Sequence, residues 1–134
     1  MTDSPEEKKQ EKKIWSMVKR AQSFTHAFRG VWLFFMTTPN ALIHLLAAVL
    51  VVVAGFYFQI SLFEWLVLVL TIGLVFVAEA FNTAIEIDMN LTSPQYHPYA
   101  RDTKDVAAGA VLIAAFVSVV VGLIIFLPKI FGVI

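Results

Sequence analysis

Residues 106–127 read VAAGAVLIAAFVSVVVGLIIFL, a run without a single Asp, Glu, Lys or Arg. A helix needs about 20 predominantly apolar residues to cross ~30 Å of hydrocarbon, and this run meets that length alone. Residues 41–58 (ALIHLLAAVLVVVAGFYF) qualify as well. Residues 62–78 (LFEWLVLVLTIGLVFVA) are long enough to span if Glu64 lies at the water boundary. The expected fold is all-α: an integral membrane bundle of three transmembrane helices, at about 39–58, 62–87 and 100–127, preceded by an amphipathic interfacial helix.

Composition points the same way. The 134 residues are 59% hydrophobic and 15% charged, with a mean hydropathy of +0.78, whereas soluble domains are roughly half apolar and about a quarter charged. Ten basic and ten acidic side chains cancel, so no net field recruits nucleic acid. Without cysteine, disulfides and thiolate metal sites are excluded.

Basic residues orient the bundle. Lys8, Lys9, Lys12, Lys13, Lys19, Arg20 and Arg29 precede the first span, and Arg101 and Lys104 lie between the second and third. The connection at residues 59–61 has none, and the far end has only Lys129. The positive-inside rule then predicts a cytoplasmic N-terminus and second loop, with the C-terminus outside. The charged run EEKKQEKK at residues 6–13 is unlike a cleavable signal, so the chain is expected to stay whole.

The chain divides into a charged tail, residues 1–13, and a single domain over residues 14–134. The domain opens with a helix at 14–36, because Ile14, Val18, Ala21, Phe24, Phe28, Val31 and Phe35 recur every three or four positions. Interspersed Lys19, Arg20 and Arg29, with Trp15 and Trp32, suit the headgroup region; packing of part of this helix on the bundle is the alternative. Thr37, Thr38, Pro39 and Asn40 should end it and start the next, threonine as N-cap and proline in the first turn. His44 then lies near the interface as an ordinary hydrogen-bonded residue. Ala107, Ala108, Gly109 and Ala110 are small enough for close helix packing in lipid.

Residues 78–88, AEAFNTAIEID, place polar groups at the end of an otherwise apolar helix. Glu79, Asn82 and Glu86 are spaced by three and four, so they share a face, with Thr83 beside them. The two carboxylates are separated by about 10 Å along the axis. An acid at the bilayer centre costs ~2.5–3.5 kcal/mol on insertion scales, and a shared stripe of three polar side chains argues for a site; a helix end dipping into water, with Glu79 hydrogen-bonded to a neighbouring helix, is the alternative. The following loop brings His97, Arg101, Lys104 and Asp105 to the same side. Carboxylates opposite a cation suit Mg2+ and a polyphosphate, because Mg2+ is commonly held by one or two carboxylates together with substrate phosphates. Neither a P-loop nor a protein-kinase glycine loop is present. A transporter or proton pathway would need polar residues at all depths, and the outer halves of the spans lack them.

The stretch AEAFNTAIE, residues 78–86, resembles the E-x-x-N-[ST]-A-I-E signature of the small bacterial membrane lipid kinases, the diacylglycerol kinase and undecaprenol kinase family. HPYARDTKDVAAGAVL at 97–112 resembles the family's second block, and SFTHAFRG at 23–30 followed by PNALIHLLA at 39–47 its N-terminal region. The similarity covers residues 20–128, and its wording leans toward the undecaprenol kinases.

This resemblance implies ATP- and Mg2+-dependent phosphorylation of a membrane lipid alcohol, undecaprenol or diacylglycerol, at the cytoplasmic face of the bacterial inner membrane. It implies Glu79 as catalytic base and, with Asn82, as a lipid-substrate residue. Glu86 is the implied metal ligand, and Glu86, Tyr96, His97, Lys104 and Asp105 are the implied ATP contacts. A homotrimer with shared active sites is implied too. Two positions depart from the family pattern. Thr38 stands where the family's T-E-x-N segment has a metal-binding glutamate, and Asn90 where an aspartate is common. A weakened family member acting as a binding subunit is therefore the alternative. Restoring the anion by Thr38→Glu should raise activity or Mg2+ affinity in a metal titration of turnover; no change in either would mean that the site works differently here.

Overall fold

The computed structural model describes residues 5–132, which form four helices: α1 (Pro5–Thr37), α2 (Pro39–Tyr57), α3 (Leu62–Thr92) and α4 (Pro98–Ile130). No strand occurs among the described residues. Helices α2, α3 and α4 are each long and apolar enough to cross a membrane, as expected from their sequence. Together they form one compact unit, from Thr38 onward, and α1 belongs to another.

Helix α1 is unbroken over 33 residues, so the expected boundary between tail and helix at residue 13 corresponds to no break in the backbone. The physical reason is propensity: Glu, Lys and Gln are good helix formers even where nothing is packed on them. Its hydroxyls at Ser16, Ser23, Thr25 and Thr37 turn back onto carbonyls three or four residues earlier. Lys19 Nζ lies 5.2 Å from the centre of the Trp15 ring. Ile14, Trp15, Phe24, Phe28 and Trp32 are exposed, leaving an apolar surface suited to the headgroup region.

Helix α2 starts with Thr38 as N-cap and Pro39 in the first turn, but the Thr38 side chain makes no capping bond. It ends in a Schellman arrangement. Gln59 takes a left-handed φ of 50°, Ile60 N–H donates to the Gly55 carbonyl at 3.1 Å, and Gln59 N–H donates to the Phe56 carbonyl at 3.3 Å. Ser61 then caps α3 through a reciprocal box. Its N–H donates to Glu64 Oε2 at 2.6 Å, while its Oγ accepts from the Glu64 N–H at 3.3 Å. The other Glu64 oxygen, Oε1, meets Lys129 Nζ of α4 at 3.2 Å. The acid and the base of this membrane boundary therefore neutralise each other.

Around this end lies the core, Ile60, Leu68 and Ile125, with Val51, Phe58, Trp65, Ile72, Val121 and Phe126 packed against it. Helices α3 and α4 make the most extensive packing, with α2 laid on α3. Close approach along α4 relies on Ala107 and Ala114, two turns apart and buried, whereas Ala108 and Ala110 are exposed. The small-residue block expected at 107–110 is thus a one-residue contact repeated every seven, because only one face of a helix can meet its neighbour.

At ~1.5 Å per residue, Glu79 lies about 26 Å along α3 from Leu62, and Glu86 about 36 Å. With Leu62 at one edge of a ~30 Å hydrocarbon layer, Glu79 is just inside the other edge and Glu86 beyond it. At the Leu62 end, the Trp65 ring lies over Gly55: an added Cβ there would fall 2.7 Å from ring carbon Cη2 and 3.2 Å from Ile60 Cδ1. Gly55→Ala should therefore destabilise the bundle by about 1–3 kcal/mol, read as a lower thermal unfolding midpoint in detergent.

Candidate active site on helix α3

The buried residues of α3 are Leu68, Thr71, Val75, Glu79 and Asn82, spaced by three and four along one face. This stripe is apolar core at one end and polar at the other, and Glu86 continues it to the surface. The opposing face of α2 carries Thr38, Ala41 and His44, each three residues apart. Ala41 is fully buried.

The two faces meet in antiparallel register. Thr38 Oγ1 and Thr83 Oγ1 are 2.8 Å apart, His44 Nε2 and Glu79 Oε1 are 3.2 Å apart, and further along the Trp65 ring covers Gly55. Glu79 is 1% exposed and His44 23%. The second Glu79 oxygen, Oε2, is buried without a hydrogen-bond partner, and so is Asn82 Oδ1. The Asn82 amide nitrogen donates to Glu86 Oε1 at 3.0 Å. Two orphaned oxygens three residues apart form a concentrated demand for donors or a cation, since buried polar atoms are ordinarily satisfied.

Below His44 lies a cavity of ≈ 270 Å³ between α2, α3 and α4, reaching Val51, Leu68, Phe76, Val119 and Gly122. The hydroxyls of Thr71 and Ser118 on its wall are bonded to the Val67 and Ala114 carbonyls of their own helices. The cavity therefore offers hydrocarbon below and the histidine ring at its head.

Glu79, Asn82 and Glu86 are thus brought together as the spacing required, with Thr38 and Thr83 as a neutral pair alongside. The remaining candidates lie elsewhere. Lys104 Nζ donates to Asn90 Oδ1 at 2.6 Å, one turn past Glu86, instead of facing the carboxylates. Asp105 is exposed and pairs with Arg101 at 3.5 Å in its own helix. Tyr96 is exposed, and His97, N-cap of α4 without a side-chain cap bond, lies with its ring 5.7 Å from that of Tyr99. No group of three or more His, Cys, Asp or Glu able to hold a metal occurs among the described residues. The donor set therefore fits a divalent ion only in the mode where phosphates complete the shell around one or two carboxylates, Glu86 being the accessible one.

His44 is the residue that sequence reasoning undervalued. Its signal was weak, a polar residue on the Thr38–Ala41 face of an apolar span, and its partner lies 35 residues away.

Residues 25–126 match the family model of the prokaryotic diacylglycerol kinases. An undecaprenol kinase of Bacillus subtilis is 44% identical over 108 residues, covering 81% of this chain and 88% of the relative. A diacylglycerol kinase of Synechocystis is 42% identical over 107 residues, 79% of this chain and 61% of the relative. A diacylglycerol kinase of Helicobacter pylori is 35% identical over 66 residues, 49% of this chain and 52% of the relative.

A buried carboxylate oxygen without a partner should burden stability. Replacing both partners of the His44–Glu79 contact by apolar side chains, His44→Leu with Glu79→Met, should leave the bundle equally stable or more stable by about 1–4 kcal/mol, measured as the unfolding midpoint in detergent; a clear loss of stability would show that the pair is held for structure.

Proposed function

The chain belongs to the prokaryotic diacylglycerol kinase family and is a membrane lipid kinase, and from that premise we propose that it transfers the γ-phosphoryl group of ATP to a lipid hydroxyl with the help of Mg2+. The observation that carries this reading is Glu79, buried at the end of a membrane span with one oxygen held by His44 and the other unpaired. A lipid hydroxyl arriving at the head of the apolar cavity offers the donor that Oε2 lacks. Undecaprenol is favoured as acceptor over diacylglycerol, because the undecaprenol kinase relative is matched over 88% of its length.

In the proposed step the acceptor oxygen bonds to the γ-phosphorus while the bond to the β-phosphate oxygen breaks. The hydroxyl proton passes to Glu79 Oε2 and ADP leaves. Asn82 donates its amide nitrogen to Glu86 Oε1 and so orients that carboxylate two turns beyond the base. Glu86, exposed at the surface end of the stripe, would hold the divalent ion that accompanies the nucleotide's phosphates. Bound Mg2+ would neutralise charge on the transferring group, where phosphoryl transfer chiefly needs positioning and electrostatic stabilisation. Tyr96, His97, Lys104 and Asp105 are proposed to meet the nucleotide from the loop and the start of α4.

The excess of Lys and Arg in α1 and the presence of Arg101 and Lys104 in the first turns of α4 support a cytoplasmic active site in the bacterial inner membrane, with the C-terminus outside. Assembly as a homotrimer with shared sites is part of the same proposal, and it would cover some of the apolar surface that three spans leave exposed. One observation favours a second reading, a weakened enzyme serving as a lipid- or nucleotide-binding subunit: Thr38, at the position of the family's metal-binding glutamate, is engaged with Thr83 and brings no charge.

Purified protein in detergent micelles, given labelled ATP, Mg2+ and a panel of undecaprenol, diacylglycerol and ceramide, should label undecaprenol or diacylglycerol. Glu79→Gln should abolish the product. Absence of labelled lipid from the native protein, or wild-type turnover by the variant, would refute the reading.

A further inference from the structure

We infer that His44 is a positioning residue for the phosphoryl-transfer step, fixing the Glu79 carboxylate so that Oε2 faces the acceptor hydroxyl. The inference rests on the proposed role of Glu79 as base. The terminal torsion of a glutamate is broad and two-fold, so burial alone does not decide which oxygen points where. The contact of His44 Nε2 with Oε1 at 3.2 Å does, since it ties one oxygen to α2 and leaves the other unpaired.

The chemistry also fixes the direction of that bond. A base must be unprotonated before it acts, and an ionised carboxylate only accepts hydrogen bonds. Nε2 therefore carries the hydrogen and donates to Oε1. When Oε2 takes the hydroxyl proton, this donor remains in place, so the carboxyl does not rotate and return the proton to the wrong side. The groups nearest this pair leave the task to His44. On α3 the Asn82 amide is occupied by Glu86. On α4 the cavity wall offers Ala115, Val119, Gly122 and a Ser118 hydroxyl committed to its own helix, and Lys104 is engaged with Asn90. On α2 Thr38 is paired with Thr83.

Reach separates a positioning role from a merely polar one. A glutamine at position 44 places its amide nitrogen about where the histidine has Nε2, whereas asparagine falls short by about one carbon–carbon bond, ~1.5 Å. Both are polar amides of modest size. The test compares the full-length native protein with His44→Gln, His44→Asn and Glu79→Gln in lipid–detergent micelles, with ATP, Mg2+ and the acceptor lipid, and His44→Ser replaces the asparagine variant if that one does not fold. His44→Asn should lower kcat by ~10²-fold, the scale of a 1 Å misplacement, with KM for ATP within about twofold if ground-state nucleotide binding is untouched. His44→Gln should stay within about fivefold of native kcat, and the two variants should unfold at the same temperature.

Equal kcat for the glutamine and asparagine variants overturns the inference, as does a loss expressed in KM alone. If Glu79→Gln is inactive while His44→Asn turns over normally, the inference about His44 fails and the base assignment stands. If Glu79→Gln turns over normally, the base assignment fails first and this inference with it.

Discussion

Hydrocarbon offers no water to a polar atom, so every donor and acceptor in a membrane span must find its partner within the protein. That constraint explains why the described chain is helical throughout its spans, and it also dictates where the polar side chains can go. At one end of the bundle it is met completely. Ser61, Glu64 and Lys129 form a closed set in which both carboxylate oxygens are engaged. At the other end it is met only in part, since Glu79 and Asn82 each keep one buried oxygen unpaired. The contrast within one helix marks the second end as the place built to receive something.

The same stripe on α3 serves both ends. Leu68 and Val75 bury hydrocarbon against α4 and α2, and the residues one and two turns later on that face are Glu79 and Asn82. The packed segment thus acts as a rigid mount for the site, which favours catalytic geometry held by elements instead of loops. From α2, His44 reaches across to Glu79. The cavity beneath them is bounded by all three spans, so the apolar and polar parts of an amphiphile would each meet a matching wall.

Thr38 holds its place between α1 and α2 through neutral contacts. Its hydroxyl pairs with Thr83 and its backbone begins α2, so it brings no charge to the polar end of the bundle. Asn90 behaves similarly, accepting from Lys104 through a neutral oxygen.

Run lengths of apolar residues by themselves determined that this is a three-span membrane protein, because a hydrocarbon layer of fixed thickness leaves little choice. Spacings of three and four determined that Glu79, Asn82 and Glu86 share a face, because helical periodicity is local. The motif at 78–86 likewise revealed the kinase family. Only the tertiary structure decided that His44 faces Glu79, that Thr38 faces Thr83, that Lys104 turns to Asn90, and which two oxygens remain unpaired. Those facts depend on the register between helices, which is set by packing between separate helices, such as Trp65 on Gly55, and no local pattern encodes that register.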